Sequence, residues 1–158
     1  MLTLTRDDFR IKLSSFDLRQ GANILRIISG AFFLPHIPGK FVDGAFSPAT
    51  LGFFAKVGMT PPEFWVGLAA LSEFLVGLFL VLGLCTRFAA LGGTALMLIA
   101  VYSLQVVKGF GWNWTTGGYE YPVFWGIACA VVAMEAWKAW FAAHGCMPAD
   151  GRVSSHAA

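Results

Sequence analysis

Residues 64–84 read FWVGLAALSEFLVGLFLVLGL, an apolar run interrupted by a single charged residue, Glu73. An α-helix needs about 20 such residues to cross the hydrocarbon core of a bilayer, so the run predicts a membrane span. Glu73 would then lie near the midplane, where an acidic side chain costs roughly 2.5–3.5 kcal/mol on insertion scales. A membrane span retains an acidic side chain when that side chain is ion-paired, protonated or functional. The partner of Glu73 is therefore the main question that the sequence poses.

The same apolar character recurs in three further runs, and the four predicted membrane spans are residues 22–41, 64–84, 88–107 and 121–141. The whole chain of 158 residues is 57% hydrophobic and 13% charged, whereas soluble domains are about 45–50% apolar and about 25% charged. The runs lack the polar stripe that helices of a soluble bundle carry at 3.6-residue spacing. The sequence therefore predicts an all-α integral membrane protein, a four-transmembrane-helix bundle over residues 22–143, with the lipid bilayer as its first partner.

The segments outside the bundle are predicted to lie in the cytoplasm, residues 1–21 as an N-terminal segment and residues 144–158 as a disordered tail. Residues 1–21 lack the apolar core and the small-residue cleavage site of a signal peptide. Phe9, Leu13 and Phe16 are spaced to share a helix face on the membrane surface. A frayed terminus is the alternative.

Lysine and arginine residues set the predicted orientation of the bundle. With the N-terminus inside, the cytoplasmic side receives Arg6, Arg10, Lys12, Arg19, Arg87, Lys138 and Arg152. The far side receives Lys40, Lys56 and Lys108. Because cytoplasmic loops carry the excess of positive charge, both termini are predicted to be cytoplasmic. The net charge of +2, without a basic stripe, argues against a nucleic-acid partner.

Two prolines interrupt the predicted first span, Pro35 and Pro38 on either side of His36. Each proline removes a backbone donor and crowds the preceding turn, so the helix is expected to kink or end early. Irregular backbone at membrane depth is tolerated only where protein or a watery cavity covers it. The far end of this span is therefore expected to be irregular.

A short interfacial helix is predicted in the first outer loop, between the first and second spans. Ser47 is a capping residue, Pro48 suits the first helical position, and Gly58 can end the helix. Its apolar face would consist of Leu51, Phe54 and Ala55. We expect this helix to lie along the membrane or over the mouth of the bundle.

Five ionisable residues lie in the spans or at their edges, namely Arg26, His36, Lys40, Glu73 and Glu120. On an unbroken helix Arg26 and Lys40 would differ by about 40° around the axis and would share one face. His36 is close to that face. Glu120 lies at the outer start of the fourth span, where a helix N-terminus favours an anion.

Three interpretations of these ionisable residues are open. In the structural one, Arg26 or Lys40 pairs with Glu73 and the charges fix the register between helices, because intramembrane ions face the bundle interior and pair. In the functional one, all five residues frame a polar pocket, open to the outer side, for a ligand such as a quinone. His36 or Glu73 would then be the proton partner of the ligand. The third interpretation is a path for an ion or a substrate.

The three cysteines stand singly, at Cys85, Cys129 and Cys146, without a CxxC pattern. This spacing indicates neither a metal site nor a disulfide relay. We interpret these residues as small apolar side chains, so no metal ligands are predicted.

Three short motifs occur in order along the chain: Arg26-x-x-x-Gly30 with Lys40, then Glu73-x-x-x-Gly77 with Gly83-x-x-Thr86-Arg87, then Gly117-Gly118-Tyr119-Glu120-Tyr121-Pro122. Over residues 20–140 the order and placement of these motifs resemble the DoxX family of small four-helix bacterial membrane proteins. The chain differs from the family pattern at His36-Ile37-Pro38-Gly39 and in its tail after Ala136.

The resemblance implies a bacterial inner-membrane protein with a role in redox chemistry. Some DoxX proteins resemble or are the membrane subunit of a thiosulfate:quinone oxidoreductase, and others associate with redox or oxidative-stress proteins. The implied partners are a redox subunit and a second copy of the chain. Because the sequence has no haem-ligating histidine pair, nucleotide fingerprint or cysteine cluster, a quinone or a partner subunit would carry the electrons. The alternatives are a non-catalytic membrane anchor that recruits another enzyme and a small transporter, the latter disfavoured because no inverted repeat is evident.

Overall fold

The computed structural model describes residues 3–144 of the chain. Its helices are α1 (Gly21–Ala31), α2 (Pro48–Val57), α3 (Pro62–Leu82), α4 (Thr86–Lys108) and α5 (Glu120–Ala143). Short 3-10 turns occupy Arg6–Phe9, Leu13–Phe16, Leu34–His36, Pro38–Lys40 and Trp114–Thr116. A small antiparallel hairpin consists of β1 (Phe41–Val42) and β2 (Ala45–Phe46). Apart from His144, the predicted disordered tail lies outside the described residues, as does Cys146.

Three of the described helices are long and apolar enough to cross a membrane: α3, α4 and α5, with 21, 23 and 24 residues. At a rise of 1.5 Å per residue they are about 31–36 Å long, which matches a hydrocarbon core of about 30 Å. Large apolar side chains stay exposed on their outward faces, among them Leu71, Leu98 and Phe124. Lipid would cover these side chains. The protein is a mostly helical multi-pass membrane protein, and its three long helices begin and end within two residues of the predicted second, third and fourth spans.

The predicted first span is not one continuous helix. Helix α1 ends at Ala31, and the chain continues through the 3-10 turns Leu34–His36 and Pro38–Lys40. Each turn contains a proline at its first or second position. Proline lacks the N–H that an α-helix would need there and disfavours helical backbone in the preceding residue. The irregular far end that these prolines predict is confirmed.

Helices α1 and α3 cross where two glycines, Gly30 and Gly77, are in contact. A Cβ at Gly30 would lie 2.6 Å from Leu80 Cβ and 2.8 Å from the Gly77 carbonyl oxygen, and a Cβ at Gly77 would lie 2.9 Å from the Gly30 carbonyl oxygen. Such close backbone approach is how membrane helices associate where the hydrophobic effect does not drive them together. The glycine pair therefore sets the position of α1 against the C-terminal half of α3.

The core lies between α1, α3, α4 and α5. Phe33, which follows α1, is buried with its ring 4.2 Å from the ring of Trp125 in α5. The indole N–H of Trp125 donates to the Ser29 carbonyl oxygen at 3.1 Å. Gly93 of α4 leaves the room that Phe33 and Cys129 occupy. These contacts join the irregular end of the first segment to the long helices.

Helix α2 occupies the loop between β2 and α3. It begins at Pro48 and ends before Gly58, which has a left-handed backbone conformation. Ser47 occupies the capping position, but its side chain accepts no hydrogen bond from the helix, so the predicted side-chain cap is wrong. The helix packs against α3 and α4. It therefore lies at one end of the bundle and covers the space between those two helices.

The N-terminal strap, residues 3–20, packs across the opposite end of the bundle. It contains two 3-10 turns and not the single helix that would align Phe9, Leu13 and Phe16. Main-chain and side-chain hydrogen bonds fasten it: Cys85 N donates to the Asp8 carbonyl oxygen at 2.7 Å, and Arg87 Nη2 donates to both carboxylate oxygens of Asp8 at 2.8 Å. The strap is thus an attached part of the fold.

Candidate functional site

Lys40 and Glu73 form an ion pair between the irregular end of the first segment and the middle of α3. Lys40 Nζ lies 2.5 Å from Glu73 Oε2, and the two side chains are 11% and 16% exposed. Lys40 Nζ also donates to the His36 carbonyl oxygen at 3.1 Å. Glu73 therefore has the cationic partner that a carboxylate inside an apolar helix needs.

The backbone on both sides of Lys40 holds its ammonium in this place. The 3-10 turn Pro38–Lys40 ends in a hydrogen bond from Lys40 N to the Ile37 carbonyl oxygen at 3.0 Å. The β1–β2 hairpin follows, and Ser47 N closes it by donating to the Lys40 carbonyl oxygen at 2.8 Å. Both main-chain polar groups of Lys40 are thus satisfied, which leaves only its side chain to reach Glu73.

The ion pair lies on the wall of a cavity of about 550 Å³ between α2, α3, α4 and the Pro35–Lys40 segment. The polar side chains on its wall are His36, Lys40, Thr50, Ser72, Glu73 and Ser103. The apolar side chains include Phe53, Phe54, Trp65, Leu68, Leu96 and Met97. Ligand pockets in proteins have this character, about 300–1,000 Å³ of mostly apolar wall with a few polar groups that fix orientation. We call this space the Glu73 cavity.

His36 also lines the Glu73 cavity. Its ring centroid lies 5.6 Å from that of Trp125, and the residue is exposed. The main-chain oxygen of His36, and not its ring, contacts Lys40. The imidazole makes no hydrogen bond to another residue in the described part of the chain.

Arg26 lies away from the Glu73 cavity. Its guanidinium donates to the carbonyl oxygens of Leu80 and Val81 in the last turn of α3, the latter at 3.1 Å, and to that of Ser15 in the strap at 2.5 Å. The expectation that Arg26 and Lys40 share a helix face is wrong, because α1 ends at Ala31 between them. Of the two predicted partners for Glu73, the structure selects Lys40.

Glu120 also lies outside the Glu73 cavity. It is the first residue of α5, as predicted, and its Oε2 accepts a hydrogen bond from Trp114 N at 3.3 Å. It lines a separate space of about 630 Å³ together with Trp112, Trp114 and Tyr121. Of the five predicted pocket residues, the structure brings together three: His36, Lys40 and Glu73.

The aromatic and hydroxyl side chains on the cavity wall were not predicted as site residues. Phe53 comes from α2, and Ser72 and Ser103 come from apolar spans in which few other residues are polar. Ser72 directly precedes Glu73, and Ser103 is buried in α4. A lone serine in an apolar run is a weak sequence signal, so the packing of α2 over α3 and α4 was needed to find these residues.

A comparison of the sequence with protein families finds a match. The DoxX family model matches residues 21–106, which include α1 to within two residues of the end of α4. The chain belongs to the DoxX family. No curated protein and no solved structure shows a significant match to it.

The part of this DoxX protein that matches the family contains the Lys40–Glu73 pair and the crossing of Gly30 with Gly77. The third motif, at Gly117–Pro122, lies beyond the matched residues. The structure explains it locally: Gly117 has a left-handed backbone conformation, and a Cβ at Gly118 would overlap the main chain of Gly111 and Trp112. Among residues 3–144, no group of three His, Cys, Asp or Glu side chains is placed to hold a metal ion.

Proposed function

We propose that this DoxX protein is the membrane subunit of a quinone-linked redox complex and that a quinone ring binds in the Glu73 cavity. The observation that supports the proposal most strongly is the Lys40–Glu73 pair on the wall of an otherwise apolar cavity of about 550 Å³. A quinone is an apolar ring with two carbonyl oxygens, so it needs apolar walls and a small number of hydrogen-bonding groups. The residues present fit that requirement.

Lys40, Glu73 and His36 each have a distinct task in this proposal. A bound quinone supplies the transfer of two electrons and two protons. Lys40 Nζ, which has three donors and uses two on Glu73 and His36, has one left to orient a carbonyl oxygen. Glu73 holds or releases a proton beside that oxygen, and His36, which also lines the cavity, is a second proton group. Helix α2 excludes water from the apolar side of the cavity.

The proposal includes a topology with four spans in the bacterial inner membrane. Helix α1 and the two 3-10 turns after it, 21–40, contain 20 residues, enough to cross the bilayer. Arg26 lies near one end of this segment and Lys40 at the other. By the positive-inside rule both termini lie in the cytoplasm. Helix α2 and the opening of the Glu73 cavity then lie at the outer interface.

A non-catalytic membrane anchor is the second candidate function, and one observation favours it. Lys40 and Glu73 satisfy each other without a ligand, and such a pair also fixes the register between helical segments. An anchor would need the pair for assembly but would not bind a quinone. The two candidates therefore differ in what the cavity contains and not in whether Glu73 is needed for folding.

Purification in a mild detergent followed by mass spectrometry of bound small molecules and subunits distinguishes these candidates. We expect a quinone and a redox subunit to co-purify with the full-length protein. Ala69→Phe would fill the Glu73 cavity while keeping both charges, so it should lose the quinone and keep the partner subunit. Retention of the quinone in Ala69→Phe, or a partner subunit with no quinone in the unaltered protein, would support the anchor.

A further inference from the structure

A second cavity, of about 430 Å³, lies at the opposite end of the bundle from α2. The N-terminal strap closes one side, and α1, the first turn of α4 and the last turns of α5 form the others. We call it the strap cavity. None of its wall residues lines the Glu73 cavity, so it is independent of the function proposed above.

Arg87 is the most deeply buried charge on the wall of the strap cavity. Its side chain is 3% exposed, and its Nη2 donates to both carboxylate oxygens of Asp8 at 2.8 Å. The guanidinium lies 4.8 Å from the ring centroid of Trp137 and 4.7 Å from that of Trp140. The other terminal nitrogen, Nη1, is buried and has no hydrogen-bond partner among residues 3–144.

Trp140 carries the second buried donor without a partner in the described part of the chain. Its indole Nε1 is shielded from solvent, and Trp140 lines the same cavity as Arg87. Buried polar groups in folded proteins are nearly always hydrogen-bonded, and an exception indicates a missing partner. Both unpaired groups are donors, so the partner that fits them is an acceptor with several oxygen atoms.

The charges around the strap cavity favour an anion as that acceptor. Its wall contains four cationic residues, Arg10, Lys12, Arg26 and Arg87, and three acidic residues, Asp7, Asp8 and Glu135. The acidic groups are already engaged: Asp7 with Lys12 at 2.6 Å, Asp8 with Arg87, and Glu135 with Lys138 at 2.8 Å. Arg26 donates to carbonyl oxygens and pairs with no carboxylate in the described chain. A buried positive charge is therefore left uncompensated.

We propose that the strap cavity binds a phosphate group, carried by an anionic phospholipid or present as free phosphate. A phosphate presents several acceptor oxygens, and arginine is the residue that matches its geometry best. Basic pockets between membrane helices near the cytoplasmic side bind lipid headgroups in this way. The apolar part of the wall, Ala22, Leu25, Val131, Val132 and Ala136, lies between α1 and α5, where an acyl chain could leave toward the bilayer.

The test uses the full-length protein, stripped of lipid in detergent and titrated with three probes. The probes are dioleoyl phosphatidylglycerol, dioleoylglycerol and inorganic phosphate, with native mass spectrometry and thermal unfolding as readouts. Saturable binding of phosphatidylglycerol alone identifies a lipid as the source of the phosphate. Saturable binding of inorganic phosphate identifies free phosphate as a ligand. Binding of neither, or equal binding of dioleoylglycerol and phosphatidylglycerol, overturns the proposal.

Two variants test the donors separately. Trp140→Phe keeps the aromatic contact with Arg87 and removes Nε1, and Arg87→Lys keeps the charge that pairs with Asp8 and removes Nη1. Each should weaken binding of the phosphate-bearing probe about tenfold, the usual effect of losing one hydrogen bond to a charged group. Trp112→Phe, on a loop away from the strap cavity, is the matched control and should bind normally. If Arg87→Lys does not fold, Trp140→Phe decides: unchanged affinity in that variant contradicts the proposal.

Discussion

Gly30 of α1 and Gly77 of α3 touch through their backbones, and each lies one helical turn from a charged residue of the same motif, Arg26 and Glu73. The two charges lie on opposite sides of this crossing. Arg26 binds the carbonyl oxygens at the end of α3, whereas Glu73 binds Lys40 toward α2. The glycine contact thus fixes the positions of Arg26 and Glu73 relative to the groups that they bind.

Replacing Gly77 with alanine should destabilise the bundle. The new Cβ would lie 2.9 Å from the Gly30 carbonyl oxygen and 2.9 Å from Leu34 Cδ2, and overpacking of this kind costs about 1–3 kcal/mol. The matched control is Gly67→Ala in the same helix, whose Cβ would meet only the tip of the Phe46 ring at 3.4 Å. Thermal unfolding in detergent should show a lower midpoint for Gly77→Ala alone. Equal midpoints in the two variants would show that the crossing is not tightly packed.

The Asp8–Arg87 pair should make attachment of the strap dependent on pH. Burial raises the pKa of Asp8, but hydrogen bonds from Arg87 and Thr5 outweigh it and leave that pKa below its ordinary value. A carboxyl with a lowered pKa contributes stability above its unfolded pKa of about 3.9 and loses it as pH falls through the lower folded value. The protection factors of the amides in residues 3–20, which are corrected for the intrinsic pH dependence of exchange, should therefore be high at pH 6 and fall as the pH drops below about 3.9.

Neutralising Asp8 by mutation should detach the strap at neutral pH as well. Asp8→Asn leaves Arg87 buried without its carboxylate, and removal of one partner of a buried pair costs about 3–5 kcal/mol. Asp7→Asn is the control, because Asp7 is exposed and, among the described residues, its carboxylate pairs with the exposed side chains of Arg10 and Lys12. Proteolysis of the strap should become faster in Asp8→Asn and not in Asp7→Asn. The reverse order would contradict the role given to Arg87.

The proposed topology can be tested with single cysteines and a membrane-impermeant maleimide. Cys85 and Cys129 are buried, so Cys146→Ser provides a background with low labelling. In that background, the cysteine of Lys56→Cys should be labelled from outside intact cells, whereas the cysteine of Lys138→Cys should be labelled only after the membrane is opened. Labelling of both from the same side would require an even number of spans between them, whereas the proposed topology has three, α3, α4 and α5.

The long helices could be predicted from the sequence because their signal is local. Each of α3, α4 and α5 needs only about 20 apolar residues in a row, and charged or glycine-containing segments end each run. The first segment is different because its path depends on Pro35 and Pro38. The sequence indicates that the helix breaks there but not that it ends four residues earlier, at Ala31.

The candidate site could be predicted only in part, because its contacts join distant parts of the chain. The sequence indicates that Glu73 needs a cationic partner, and Arg26 and Lys40 are both suitable. The structure shows that α1 ends at Ala31 and that Lys40 forms the pair. Asp8 and Arg87 are 79 positions apart, and nothing local relates them. Their pairing depends on the strap folding back across the bundle, which no periodic pattern in residues 3–20 indicates.

Equilibrium binding tests whether Glu73 and Lys40 form one end of a quinone site. Tryptophan fluorescence of the purified protein, with Trp65 on the cavity wall, would be titrated with short-chain ubiquinone and menaquinone analogues. Glu73→Gln should weaken saturable binding at least about tenfold, through the lost charged hydrogen bond. Glu63→Gln, an exposed position in the first turn of the same helix, should bind like the unaltered protein. Equal affinity in Glu73→Gln and Glu63→Gln, or no saturable binding by the unaltered protein, would contradict the claim.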